Sequence, residues 1–599
     1  MYKNMEIFFD YSLSGKIMNV AFNKNYSNDD FKAEIIIETN GNVSKLKIVI
    51  APTVELKIEK LSINMDYTFK DTDRIYVNGY QSWTDSREFC TNETLKTISK
   101  FAAPIMRKYQ LHKYGDYTFK KYSRKKGEFH GYTYSYIRDG EIFKIIGSLS
   151  ERSGYTIIEE YVGEDEIIIN KECEGHCISE EYVPFELVWV EGTEKEAFDT
   201  YFDLMNIKKP KCKPISGWTS WYNYYQNINQ DIILENVNNF KAMKKNIDIF
   251  QIDDGYQTAV GDWLSVDENK FPKGMKYIAK HIKDKEYKAG IWLAPFVCET
   301  NSEIFREKKE WILKDNEGEL VVAGSNWSGF YALDFYNPKV QEYIKNVFSV
   351  ILNEWGYDMV KLDFLYAVCL LPRKDKTRGQ IMTEAMEFLR ECVGDKLILG
   401  CGVPLGPAFG MVDYCRIGCD VGLDWNDKFH MRFLHRERVS TLNALKNVIG
   451  RRHLNGRAFL NDPDVFFLRE DNISLTEIQK ETVATINHMF GGLIFTSDNI
   501  QNYDTRKNLI FDRMINVSNK GIEKVECLKN GIIEILYNEE NKKYLALVNF
   551  KNMKLNYNNN FGKLEEVFFD KENSINVSEY NKLEIEPYGS KVFVIKDYL

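Results

Sequence analysis

The stretches MVKLDFLY at 359–366 and DYCRIGCD at 413–420 each read as a short buried strand that ends in a carboxylate, Asp363 and Asp420. Side chains alternate across a strand, so residues two or four apart share a face. By that rule Lys361 lies beside Asp363, and Arg416 beside Asp420. A single Asp at a strand end is most simply a turn residue or a helix cap. The surrounding chain decides whether this pair is more than that.

Six further apolar stretches flank the pair at a regular beat: ISGWTSWY at 215–222, IDIFQIDD at 247–254, KAGIWLAP at 288–295, KLILGCGVP at 396–404, RAFLNDPDV at 457–465 and GGLIFTSD at 491–498. Amphipathic stretches such as PKVQEYIKNVFSVILNEWG at 338–356 separate most of them. The link between the fifth and sixth is too short for a full helix. Buried strands alternating with helices imply a parallel sheet. Eight such units over about 290 residues imply a (β/α)8 barrel.

The flanks differ. AEIIIET at 33–39, KLKIVI at 45–50, VELKIEKLSI at 54–63, YTYSYI at 132–137, FKIIGSLS at 143–150 and DEIIIN at 165–170 alternate or run in β-branched residues. Their spacing predicts a β-sandwich. A helical stretch at 191–207 and KKPKCKP at 208–214 lead out of it. Past residue 515, GIIEILYN at 531–538, KKYLALVNF at 542–550 and SKVFVIKD at 590–597 predict antiparallel strands. The expectation is a multidomain α/β chain: an N-terminal β-sandwich at 1–205, a central (β/α)8 barrel at 206–512 and a C-terminal antiparallel β-domain at 513–599. Three domains suit 599 residues.

Composition narrows the function. A formal charge of −9 argues against nucleic acid or an anionic membrane as the main partner. The start, MYKNMEIFFDYSLSGK, has no apolar stretch behind a basic end, and no later run is long enough to span a membrane. Eleven cysteines without framework spacing read as reduced thiols, so the expected location is the cytoplasm. Cys173, His176 and Cys177 lack a partner pair at zinc spacing. No metal or organic cofactor is expected. Aromatics make up 14% of the chain, which suits sugar binding because apolar sugar faces stack on rings, although most will be core.

Barrel active sites lie at the C-terminal ends of the strands. Here those ends carry Asp253 and Asp254, Trp292 and Pro295, Asp363, Cys401, Asp420, Asp462 and Asp464, and Asp498. Capping does not explain so many polar and aromatic ends at one mouth. Two carboxylates flanking a bond form the basic kit of glycoside hydrolysis, one ionised and one holding a proton. Lys361 favours an ionised Asp363, which makes Asp363 the better nucleophile and Asp420 the better acid/base. Arg416 pulls Asp420 the same way and leaves that balance open. In the N-terminal region, NGYQSWTD at 78–85 places Trp83 in a polar loop. That aromatic either anchors the loop on the sandwich or serves a site.

Several stretches together resemble glycoside hydrolase family 36 α-galactosidases. They are QIDDGYQTAVGDWLSVDENKFPKGM at 251–275, KAGIWLAPF at 288–296, YALDFYNPKV at 331–340, KLDFLY at 361–366, GCGVPLGPAFGMVD at 400–413, CRIGCDVGLDW at 415–425 and NDPDVFFLR at 461–469. The resemblance implies a retaining exo-glycosidase acting on terminal α-D-galactosyl residues of sugars such as melibiose and raffinose. It implies Asp363 as nucleophile and Asp420 as acid/base. It places Asp253 and Asp254 on the O4 and O6 side of galactose, Trp292 against the ring, Lys361 and Arg416 on hydroxyls, Cys401 near the 2-position, and Trp83 as an aromatic inserted into the pocket. The chain departs from many relatives at Tyr256 and Leu362, where they carry Trp. Alternatives are an α-N-acetylgalactosaminidase on the same scaffold, an α-galactosyl transferase to sugar acceptors, and a non-catalytic sugar-binding protein. A binding protein would need neither Asp363 nor Asp420. Oligomeric state is not legible.

Overall fold

The computed structural model describes residues 2–373, 375–428, 431, 433–518, 520–567 and 582–596. Its centre is a parallel sheet closed on itself. Strands Ile215–Thr219, Ile249–Ile252, Lys288–Leu293, Met359–Leu362, Leu397–Gly400, Tyr414–Arg416, Leu460–Asp462 and Leu493–Thr496 pair in chain order. The seventh position is broken. Leu460–Asp462 pairs with Tyr414–Arg416, while Val465–Phe466 pairs with Leu493–Thr496 on the other side. Asp464, with φ at +78°, makes the kink that divides the two pieces and lets them serve different neighbours.

These strands are short and, apart from Lys288 and Leu397 at their starts, buried. The sequence patterns at 359–366 and 413–420 overrun them, because each chain leaves the sheet just before or at its functional residue. After Leu362, Phe364 takes a left-handed conformation with φ at +52°, and a 3-10 turn, Leu365–Cys369, follows. Between the fifth and sixth strands only a four-residue helix, Leu405–Ala408, is present.

The N-terminal part is a pair of antiparallel sheets of seven and eight strands. Met5–Leu13 buries alternate residues, as a strand with one covered face must. Ile7, Phe9, Phe31, Ile48, Ile50, Ile58 and Ile63 belong to the core between the sheets. The helix Glu194–Met205 opens with a capping box formed by Thr193 and Glu196. It ties the sandwich to the barrel: Phe198 stacks on His453 at 4.0 Å, and Arg452 pairs with Glu194 at 2.7 Å. At the C-terminal end, Gly521–Cys527, Ile532–Glu539, Lys542–Asn549, Leu564–Val567 and Ser590–Ile595 form an antiparallel sheet. Asp597, the last residue of the strand pattern at 590–597, lies outside the described residues. Among the described residues no helix is long and apolar enough to cross a membrane, and no group of His, Cys, Asp and Glu could hold a metal ion. All eleven cysteines are free thiols.

Candidate active site

A cavity of about 260 Å³ opens at the C-terminal ends of the barrel strands, and Trp83, Asp253, Asp254, Trp292, Lys361, Asp363 and Asp420 all line it. Cys401 and Arg416 stand just behind that wall, almost fully buried, and contact the lining. Asp498 is spent elsewhere: its carboxylate accepts hydrogen bonds from Leu468 N, Arg469 N and Tyr503 Oη.

Asp363 is the first residue past the fourth strand. Its carboxylate accepts from Trp292 Nε1 at 3.1 Å and from the amide of Phe364 at 2.9 Å. Burial raises its carboxyl above the ordinary carboxylate range, and the charge of Asp420 adds to the rise; Lys361, Trp292 and Cys401 pull it down. The cation expected beside Asp363 points elsewhere. Lys361 Nζ donates to Asp253 Oδ2 at 2.7 Å, so it acts on Asp363 through space rather than as its ion-pair partner. Burial works against the charged Lys361 ammonium, but Asp253 more than reverses this and keeps it charged.

The carboxylates of the second strand are strongly held. Asp253 also accepts from Gln251 Nε2 and from the amide of Asp254. Asp254 accepts from Gln257 Nε2 at 2.5 Å, Gln226 Nε2 at 2.8 Å and Trp327 Nε1 at 2.8 Å. Burial still lifts the Asp254 carboxyl, with the neighbouring Asp253 charge adding to it. Two fixed carboxylates side by side make a rigid acceptor pair for hydroxyl groups.

Asp420 lies four residues past the end of the sixth strand and meets Arg416 through the intervening turn at 2.8 Å. The same guanidinium pairs with Asp462 at 3.1 Å and Asp464 at 2.9 Å. One guanidinium thus faces the carboxyl groups of three aspartates. Burial pushes the Asp464 carboxyl up to about 7 against the pull of Arg416, and the charges of Asp420 and Asp462 add to the rise. This network is built on the broken seventh strand.

Trp83 reaches the cavity from the sandwich. Its indole Nε1 donates to Cys401 Sγ at 3.3 Å, and its ring packs edge-on against Tyr114, Phe364 and Tyr366. Gly402, with φ at +55°, lies under the ring; a Cβ there would come within 2.8 Å of it. Burial, with Asp363 next in effect, pushes the Cys401 thiol well above its usual range, so it stays protonated.

Residues absent from the sequence reading complete the wall. Trp221, Asn326, Trp327, Tyr114, His435 and Glu437 also line the cavity. Trp327 lies in the turn between the last two strands of a small antiparallel sheet, Val297–Glu299, Val322–Gly324 and Phe330–Ala332, inserted after the third barrel strand. Nothing at a strand end announces it. Burial drives the His435 imidazole down to about 3, so it faces the cavity uncharged.

Residues 205–387 match the family model described as Melibiase. An α-galactosidase of Escherichia coli is 29% identical over 168 residues, covering 27% of this chain and 23% of its own length. A Pediococcus pentosaceus α-galactosidase is 26% identical over 181 residues, and 24% of it is covered. The match thus spans about a quarter of the length of these curated relatives. Two solved structures extend the likeness over the fold. The α-galactosidase of Thermus thermophilus in complex with p-nitrophenyl α-D-galactopyranoside superposes with a TM-score of 0.67 at 24% identity, covering 87% of this chain and 98% of that one. The family 36 α-galactosidase of Geobacillus stearothermophilus gives 0.62 at 12% identity, covering 98% and 89%. The barrel of this chain is thus similar in sequence to the Melibiase model over residues 205–387, and its overall fold is similar to that of the two α-galactosidase structures.

Proposed function

We propose that this chain is a retaining exo-α-galactosidase that removes terminal α-D-galactosyl residues from oligosaccharides such as melibiose, raffinose and stachyose. The observation that carries the proposal is one cavity lined by two separately positioned carboxylates, Asp363 and Asp420, beside a fixed acceptor pair, Asp253 and Asp254. At about 260 Å³ the cavity is small, below the roughly 300–1,000 Å³ of most ligand sites, and suits a single sugar ring. That favours action on chain ends. Solved relatives include a complex with stachyose and one with raffinose.

In this reading Asp363 attacks the anomeric carbon, and Asp420 protonates the departing glycosidic oxygen. Asp420 then deprotonates the water that releases the sugar with its configuration retained. Lys361 and the Asp253–Asp254 pair hold hydroxyls, and galactose is favoured because its axial O4 meets fixed acceptors. Arg416 acts by sharing charge with Asp420, Asp462 and Asp464. The wall near the 2-position supports galactose over N-acetylgalactosamine: Cys401 and Gly402 are already packed against Trp83, so an acetamido group would meet the indole. Chromogenic α-galactoside and α-N-acetylgalactosaminide, assayed side by side, test this. The galactoside should be hydrolysed at least roughly a hundred-fold faster. Comparable rates would defeat the assignment, and turnover only with an added sugar acceptor would make the chain a transferase.

Trp83 covers the sugar. Trp83→Ala should raise KM and lower kcat/KM roughly ten-fold or more, as for a lost stacking contact of about 1–3 kcal/mol by analogy with base–aromatic stacking. Tm should move little, since the ring is only partly buried at the cavity rim. Unchanged kinetics with a large fall in Tm would make Trp83 a structural anchor.

A further inference from the structure

The loop that carries Trp83 belongs to the sandwich, yet it is held by the barrel. Ser82 N donates to Val403 O at 2.9 Å, Thr84 Oγ1 to Glu437 Oε1 at 2.7 Å, and Ser86 N to Asn447 Oδ1 at 2.8 Å. The helix Thr441–Gly450 comes so close that a Cβ on Gly450 would lie 2.2 Å from Ser86 O. At the C-terminal cap of that helix sits Arg451, fully buried. Its Nη1 donates to Ser82 O at 2.5 Å and Ile417 O at 3.0 Å, its Nη2 to Gln81 O at 3.0 Å and Gly79 O at 3.4 Å, and its Nε to Asn78 Oδ1 at 3.3 Å.

All five acceptors are neutral oxygens. Four of them belong to residues 78–82, and the fifth, Ile417 O, lies on the turn between Arg416 and Asp420. A planar guanidinium spreads five donors in a fixed fork; an ammonium has three on a flexible stem. The helix C-terminus favours a cation at this point. A buried cation whose bonds go to loop carbonyls is costly unless the loop is in place. Its geometry therefore ties the charge to one loop conformation.

We propose that Arg451 is a positioning residue: it clamps the 78–82 segment to the turn that carries Asp420 and so fixes the Trp83 ring relative to the acid/base. The proposal rests on the reading of Trp83 as part of the sugar site. It predicts that Arg451 acts on catalysis through Trp83, although it touches no substrate.

The test is a double-mutant cycle on the full chain, read together with hydrogen exchange of residues 78–86. Arg451→Lys should speed exchange at Ser82 and Ser86, raise KM, and lower kcat/KM by roughly five- to ten-fold. In a Trp83→Ala background the same substitution should cost less than about two-fold. If Arg451→Lys fails to fold, Asn447→Ala removes only the bond from Ser86. It should give the same pattern at roughly two- to three-fold. Unchanged exchange, or kinetic losses that multiply in the double variant, would overturn the clamp. Faster exchange with both Arg451→Lys and Trp83→Ala kinetically silent would instead overturn the role given to Trp83, and the coupling with it, while leaving the Asp363–Asp420 chemistry untouched.

Discussion

Asp363→Ala should abolish turnover, with a loss on the order of 10⁴-fold or more, because a covalent nucleophile has no substitute among its neighbours. The fold should survive. The substitution leaves Trp292 Nε1 and the amide of Phe364 without their acceptor, a cost of about 1–3 kcal/mol, but it also removes a carboxylate whose charged form burial already opposes. Added azide should partly restore the rate and give the β-galactosyl azide, since the small anion enters where the carboxylate stood and attacks the opposite face. A variant that keeps more than roughly a tenth of the rate would contradict the role. The wild-type profile should also report this group. Because burial holds the Asp363 carboxyl above its ordinary range, the ionised nucleophile should be lost, as pH falls, sooner than for an exposed carboxylate.

Asp420→Ala should show the complementary pattern. General acid catalysis is worth about 10²–10⁴-fold, and its value depends on the leaving group. Melibiose, whose departing alkoxide needs a proton, should lose most of its rate. An activated aryl α-galactoside should lose far less in the first step and accumulate the galactosyl enzyme. Azide should again rescue, but the product should be the α-galactosyl azide, because the anion now occupies the acid/base side of the intermediate. The two variants thus differ in product anomer as well as in rate. If Asp420→Ala slows both substrates equally, or yields the β-azide, the assignment of acid and nucleophile is wrong.

The barrel was legible because its strands are apolar blocks with chemistry at one end, and because parallel strands buried on both faces leave little else for such blocks to be. The site was legible to the same extent, through residues on or just past those ends: Asp253, Asp254, Trp292, Lys361, Asp363 and Asp420. Alternation found the neighbour of Asp363 but not that neighbour's hydrogen-bond partner. It set Lys361 beside Asp363, whereas the ammonium reaches across to Asp253 on a strand far away in sequence. The contact of Arg416 with Asp420 was anticipated, but through a longer strand than exists; the chain turns after Arg416 and brings Asp420 back. Asp462, Asp464 and Asp498 looked alike as strand-end carboxylates, yet the first two neutralise Arg416 and the third anchors Arg469. Trp327 and Arg451 were invisible for another reason. One sits on an insertion and the other at a helix end, and each acts on residues that only tertiary packing brings within reach.

Proton NMR of the first sugar released from an α-galactoside tests the central claim most directly. A retaining mechanism through Asp363 predicts that the α-anomer of galactose appears first and only later mutarotates toward equilibrium. If the β-anomer appears first, water attacks directly, and the double-displacement account built on Asp363 and Asp420 fails.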